Sequence, residues 1–240
     1  MLIEKDSKIG EIVAENFRAA QVFEKYGLDF CCGGKKTLGE ACTGKGVNPD
    51  ELIKTLSQIG GVSRAMADFN SWTLDFLIDY IINNHHSYVM RSLPVITEHA
   101  EKVSSKHGEN HEEVTVIAEL FSNIKTELEA HLQKEERMLF PYIKSLVELE
   151  RKEEEAPYAP FGTIENPIKM MEIEHDGAGN IMAEINSLSS SYTPPNDACS
   201  TYRVLYQELK EFEDDLHVHI HLENNILFPK AIELEKKLSV

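Results

Sequence analysis

Two stretches decide how this chain is read: HLQKEERMLFP at residues 131–141 and HIHLENNILFP at residues 219–229. Both follow the pattern H-x-x-x-E-x-x-x-L-F-P, with matching positions 88 residues apart. On an α-helix, residues i and i+4 lie one turn apart on one face, roughly 5–6 Å between Cβ atoms. His131 with Glu135, and His219 with Glu223, can therefore each aim an imidazole nitrogen and a carboxylate at one point. A single H-x-x-x-E is commonly just an exposed hydrogen-bonding pair. Two copies sharing an L-F-P tail are hard to obtain by chance and mark an internal repeat.

Outward from these pairs, each is preceded by a helical segment bearing a histidine. His86 lies 45 residues before His131, and His175 lies 44 before His219. Helical patterns run near 72–104, 111–149, 164–190 and 197–237, with breaks at 106–110, 156–162 and 191–196. Short connections make neighbouring helices antiparallel, so the expected fold is all-α, an up-down four-helix bundle of two hairpins related by a pseudo-twofold axis. A helix of ~40 residues would be ~60 Å long, so the second and fourth are expected to bend or overhang. Pro141 and Pro229 lack a backbone N–H and crowd the carbonyls of Arg137 and Asn225. They are expected to bend or end each helix just past the paired residues.

Four histidines and two carboxylates are too many for one tetrahedral zinc site. They suit two metal ions, with each carboxylate able to bridge, and mixed imidazole and carboxylate ligation favours iron or manganese over soft-ligand metals. His217 and His221 form a competing i, i+4 pair, but their counterparts in the first copy are Glu129 and Gln133. They lie ~200° around the helix from His219 and are read as its outer face. His85 competes with His86: the apolar residues at 78, 82, 89 and 93 leave both near the core face, and periodicity does not choose.

Residues 1–62 have a different texture and read as a small helical, cysteine-containing domain, with the bundle over 72–240. Ile9, Ile12, Val13, Phe17, Ala20 and Phe23 recur at helical spacing, with Ser7 as N-cap and Gly27 as stop. Residues 28–34, LDFCCGG, are turn chemistry. A second helix starts at Asn48-Pro49, with Leu52, Ile53, Leu56 and Ile59 as its apolar face. Gly60 to Ser63 forms a plausible hinge. Of the four cysteines, Cys31 and Cys32 are adjacent and cannot form a disulfide of normal geometry. Free thiols in a reducing compartment are the simpler reading, with Cys42 and Cys199 incidental.

Composition bounds the function classes. The chain is 42% hydrophobic and 27% charged, as in ordinary globular proteins. Its net charge of −17 would repel phosphate backbones and anionic lipid, so nucleic acid and membrane surfaces are excluded as partners. No stretch approaches the ~18 apolar residues of a membrane span. The opening MLIEKDSKIGEIV lacks the apolar core of a secretory signal, so a cytoplasmic location is expected.

With those residues in view, the sequence resembles the iron-sulfur cluster repair family, also called repair of iron centres proteins. The resemblance rests on YGLDFCCGG at 26–34, the two H-x-x-x-E…LFP copies and EHDGAG at 174–179, and it spans essentially the whole chain. It implies a small N-terminal domain joined to a hemerythrin-like bundle holding two non-haem iron ions, carboxylate- and oxo-bridged. Its ligands fall on His131, Glu135, His175, His219 and Glu223, with the first histidine aligning best with His86. It implies a stress protein that protects iron-sulfur clusters from nitric oxide and oxidants and supplies iron to damaged iron-sulfur proteins, its partners. Cys31 and Cys32 are then candidates for a thiol relay. Two rival expectations are a hemerythrin-type carrier of oxygen or nitric oxide, and an enzyme reducing nitric oxide. No separate acid–base constellation is evident, so no catalytic residue is assigned and an iron donor is preferred to an enzyme. A homodimer through the N-terminal domain is compatible with the sequence.

Overall fold

The structure, a computed structural model, describes residues 3–58, 68–156 and 159–239. The expected hinge at 60–63 and Ile59 lie outside the described residues. The described chain is helical, with two isolated bridges (Lys8 with Thr37, Ala159 with Gly162) and no strand. None of its helices is long and apolar enough to cross a membrane. The N-terminal helices are α1 (Ile9–Glu15), α2 (Ala19–Lys25), α3 (Leu38–Lys45) and α4 (Pro49–Gln58). The later ones follow as α5 (Leu74–Ile81), α6 (Ser87–His107), α7 (Glu113–Lys134), α8 (Phe140–Lys152), α9 (Glu165–Leu188), α10 (Ser200–Leu222) and α11 (Phe228–Leu238). Three π-helical turns, Ile82–His86, Glu135–Leu139 and Glu223–Leu227, join α5 to α6, α7 to α8 and α10 to α11.

The chain divides into two compact units. One comprises residues 79–142 and 165–217, and here four helices pack as the repeat implies. Their buried positions alternate in steps of three and four, the spacing that keeps one helix stripe in a core. Examples are Val89, Leu93, Ile96, Ala100 and Val103 on α6, and Val114, Ile117, Phe121, Ile124 and Leu128 on α7. On α9 the stripe is Ile168, Met171, His175, Ala178, Met182 and Ile185. Phe212 on α10 meets Phe121 edge-on at 5.3 Å, and His99 on α6 bonds Glu208 on α10 at 2.7 Å. Asn186 on α9 donates to Glu213 on α10 at 2.9 Å, which ties the second hairpin.

The stripes continue straight into the histidines. His131 occupies the core position after Leu128, and His175 the one after Met171. On the first helix Ile81 and Val89 flank two buried histidines, His85 a step of four and His86 a step of five beyond Ile81. The π turn Ile82–His86 supplies the extra residue, because a π-helix bonds i to i+5 and so carries one more residue per turn. Periodicity alone does not choose between His85 and His86 because it assumes an unbroken α-helix.

The same device bears on the expectation that the prolines bend or end their helices. Neither Pro141 nor Pro229 ends its helix; each follows a π turn and the helix runs on as α8 or α11. The widened turn moves the carbonyl four residues back away from the ring that would otherwise strike it.

The second unit gathers Met1–Ile78 with Ile143–Ile164 and Val218–Val240. Its core is built from Ile9, Ile12, Phe23, Phe30, Leu38 and Leu52, all nearly inaccessible. Phe17, Phe69, Trp72 and Phe76 form a ladder of edge-on rings with centroids 4.7–5.9 Å apart. Glu235 on α11 accepts two bonds from the Ile164 amide, at 2.9 and 3.0 Å. The expected first helix is broken in two. Asn16 is extended and its side chain accepts from the Arg18 amide at 3.3 Å, a local turn that competes with the helix ladder. Ser7 caps nothing; its hydroxyl accepts from the Glu4 amide instead. Gly27, at φ 64°, does stop α2, and Asn48 does cap α4 by accepting from Asp50 at 3.0 Å. Helix α3 goes beyond the sequence expectation, and a capping box of Thr37 with Glu40 starts it.

Candidate metal centre

In the 79–142/165–217 unit, His86, His131, Glu135 and His175 are all buried to 2% exposure or less. Glu135 Oε2 lies 3.5 Å from His86 Nε2 and 3.4 Å from His131 Nε2, so one carboxylate oxygen faces two imidazoles. His131, Glu135 and His175 each offer a ligand atom within 4.8 Å of the others. His131 Nε2 and His175 Nε2 are only 3.0 Å apart.

The far nitrogens explain why the near ones face inward. His86 Nδ1 is 2.8 Å from Glu136 Oε1, and His131 Nδ1 is 2.8 Å from Glu174 Oε2. A carboxylate there takes the Nδ1–H and leaves the Nε2 lone pair facing inward, the arrangement that orients histidines on metals and raises their basicity. Lys134 also donates to Glu174. Burial works to raise the Glu174 carboxyl, but the bonds from Lys134 and His131 outweigh it and hold that group below its ordinary range. Phe140, from the L-F-P tail, stacks on the His86 ring with centroids 5.5 Å apart, which gives that tail a local function. His85 turns elsewhere, with Nδ1 3.0 Å from Asp215 Oδ1. Glu174 and Phe140 lie in the motifs quoted from the sequence, which gives neither of them a role, and Glu136 is not singled out there. Two of them adjoin predicted ligands, but adjacency on a helix places a side chain ~100° away and gives no pairing.

In the other unit, His219 and Glu223 are buried to 1% and 0% exposure, with Nε2 and Oε1 3.1 Å apart. The i, i+4 geometry inferred for the second copy is therefore present. His221 departs from expectation: it is not on an outer face but 0% exposed, its ring 6.1 Å from Phe17 and 5.7 Å from Phe30. Burial pushes its pKa down to about 3, so the ring is neutral. The N-terminal segment covers this helix face, which a repeat-based reading of the bundle alone does not register. His217 is half-buried.

Cys31 is buried and Cys32 half-buried, with Sγ atoms 4.0 Å apart and no disulfide. Asp29 organises their loop, accepting from the amides of Cys31, Cys32 and Gly33 at 3.1, 3.0 and 2.9 Å. The hydrogen bond with Cys32, then burial and the Asp29 charge, push the Cys31 thiol well up, so it is protonated at rest.

The donor set fits hard or borderline cations. Buried carboxylate and imidazole groups facing one another need a cation to balance their desolvation, and these are oxygen and imine-nitrogen donors without sulfur.

Comparison with known proteins finds two family matches along the chain. Residues 77–231 match the hemerythrin HHE cation binding domain, and residues 5–59 match a domain of unknown function, DUF542. Iron-sulfur cluster repair protein YtfE of Dickeya chrysanthemi is 37% identical over 232 residues, covering 96% of this chain and 99% of that protein. A probable iron-sulfur cluster repair protein of Haemophilus influenzae is 38% identical over 229 residues, covering 94% of this chain and 96% of its own length.

Proposed function

The chain belongs to the iron-sulfur cluster repair family, and from that premise we propose that it holds two iron ions and donates iron to damaged iron-sulfur proteins. In this reading residues 1–62 and 72–240 are its two domains. Its six ligands in this reading are His86, His131, Glu135, His175, His219 and Glu223, each carboxylate being able to bridge. The observation that carries the reading is Glu135 Oε2, which faces His86 Nε2 and His131 Nε2 at nearly equal distances, as a bridging carboxylate would.

Six protein ligands for two irons leave coordination positions open, which suits release as well as capture. Ligation needs neutral imidazole, so acid should loosen the ions. The thiols have no part in this ligand set. As a relay, half-buried Cys32 is the entry point and protonated Cys31 the partner behind it. The test is anaerobic incubation of the iron-loaded protein with a cluster-free acceptor, sulfide and a thiol reductant. Iron should leave this protein as the acceptor's cluster absorbance grows; iron that stays while the acceptor remains empty sinks the proposal.

A further inference from the structure

The two copies of the repeat are not treated alike by their surroundings. At the offset of 88, Arg137 and Gln133 of the first copy are both exposed. Their counterparts, Asn225 and His221, are held by the N-terminal segment. Asn225 sits on the π turn Glu223–Leu227, two residues after Glu223. Its Nδ2 donates to the Phe30 carbonyl at 3.3 Å and the Cys31 carbonyl at 3.2 Å, and lies 3.2 Å from His221 Nδ1. Its Oδ1 is wedged between two glycines: a Cβ on either Gly10 or Gly34 would come within 2.3 Å of it. Only glycine at both places lets the backbone close on that amide. The loop it grips is rigid, because Asp29 ties three successive amides of it.

We propose that Asn225 is a positioning residue coupling the Cys31–Cys32 loop to the turn that carries Glu223, so that docking of the N-terminal domain sets how tightly iron is held. This rests on iron at Glu223, as proposed above. None of these contacts is needed to build a four-helix bundle, since the first copy does without them. They give the domain of unknown function a role, in which it clamps one metal-ligand turn from outside and places its thiol loop on the clamp. Coupling of this kind is reciprocal, so whatever docking does for iron, iron must do for docking.

Reciprocity supplies the test. The rate of Cys31 alkylation by iodoacetamide is read by peptide mass spectrometry on the full chain, iron-loaded and iron-free. Alkylation of Cys31 should be about tenfold slower in the loaded protein, the effect of losing one or two such hydrogen bonds. Asn225→Asp keeps the shape but turns an oxygen toward the two carbonyls. It should bring the two rates together and speed iron loss to a ferrous chelator about tenfold. Gly34→Ala should do the same through the clash, whereas Gly44→Ala, whose Cβ meets nothing within 4 Å, should behave as wild type. Equal Cys31 rates with and without iron, or an Asn225→Asp protein that keeps the wild-type ratio, overturns the coupling while leaving the iron site standing. A chain that takes up no iron overturns both.

Discussion

Replacing Glu174 by Gln tests the carboxylate behind His131. Glu174 accepts the His131 Nδ1–H at 2.8 Å, and its side chain is 27% exposed. Gln keeps the length and one acceptor oxygen but removes the charge that raises imidazole basicity. Loss of such a partner typically costs about 10–100-fold in metal affinity. Because water reaches Glu174, screening favours the lower end: about tenfold, or roughly 1.4 kcal/mol. Glu136 holds His86 at the same 2.8 Å but is 42% exposed, so Glu136→Gln should cost less, about threefold. The assay is competition for ferrous iron against a colorimetric chelator, with far-UV circular dichroism confirming that each variant is folded. Wild-type affinity in Glu174→Gln, or a larger loss in Glu136→Gln, would refute the reasoning that these carboxylates act by orienting and polarising buried ligands.

Two further outcomes follow from the geometry. His85→Ala should keep its iron because His85 pairs with Asp215, whereas His86→Ala should lose at least one ion per chain; plasma emission analysis of the purified variants distinguishes them. His111 bonds Asp197 at 3.1 Å, and that bond, opposed by desolvation and aided by the charges of Asp197 and Glu113, raises its pKa. A raised folded-state pKa means this link contributes below the unfolded value near ~6.5 and is lost as pH rises through the folded one. Proton NMR titration should show the His111 midpoint falling in Asp197→Asn.

Much of this is legible in the sequence because the proposed ligands obey the same three-and-four spacing as the apolar core. Leu128 to His131 and Met171 to His175 are steps along one stripe, so finding the core helices also finds the histidines. The four long helices and their breaks follow from the same periodicity. What sequence does not reveal arises where the helix departs from ideal geometry or where distant segments meet. The π turn Ile82–His86 shifts the register by one residue, so that both adjacent histidines are buried, His86 facing Glu135 and His85 facing Asp215. Two more π turns let the helices continue into Pro141 and Pro229. The burial of His221 eludes the repeat because covering by the N-terminal segment is a tertiary event with no trace in the bundle's own period. The partners Glu136 and Glu174 are hidden for the same reason: their pairing is across helices. Helix α3 is different, a local feature with a local signal, since the T-x-x-E box at Thr37 and Glu40 announces a helix start directly.

The most direct measurement is the iron content per chain of the native protein, compared with Glu135→Ala and Glu223→Ala. Two irons in the native chain, falling to one or none in both variants with the helical signal retained, is the result expected for two shared carboxylates. Unchanged iron in both variants, or a native chain that holds none, would contradict the centre described.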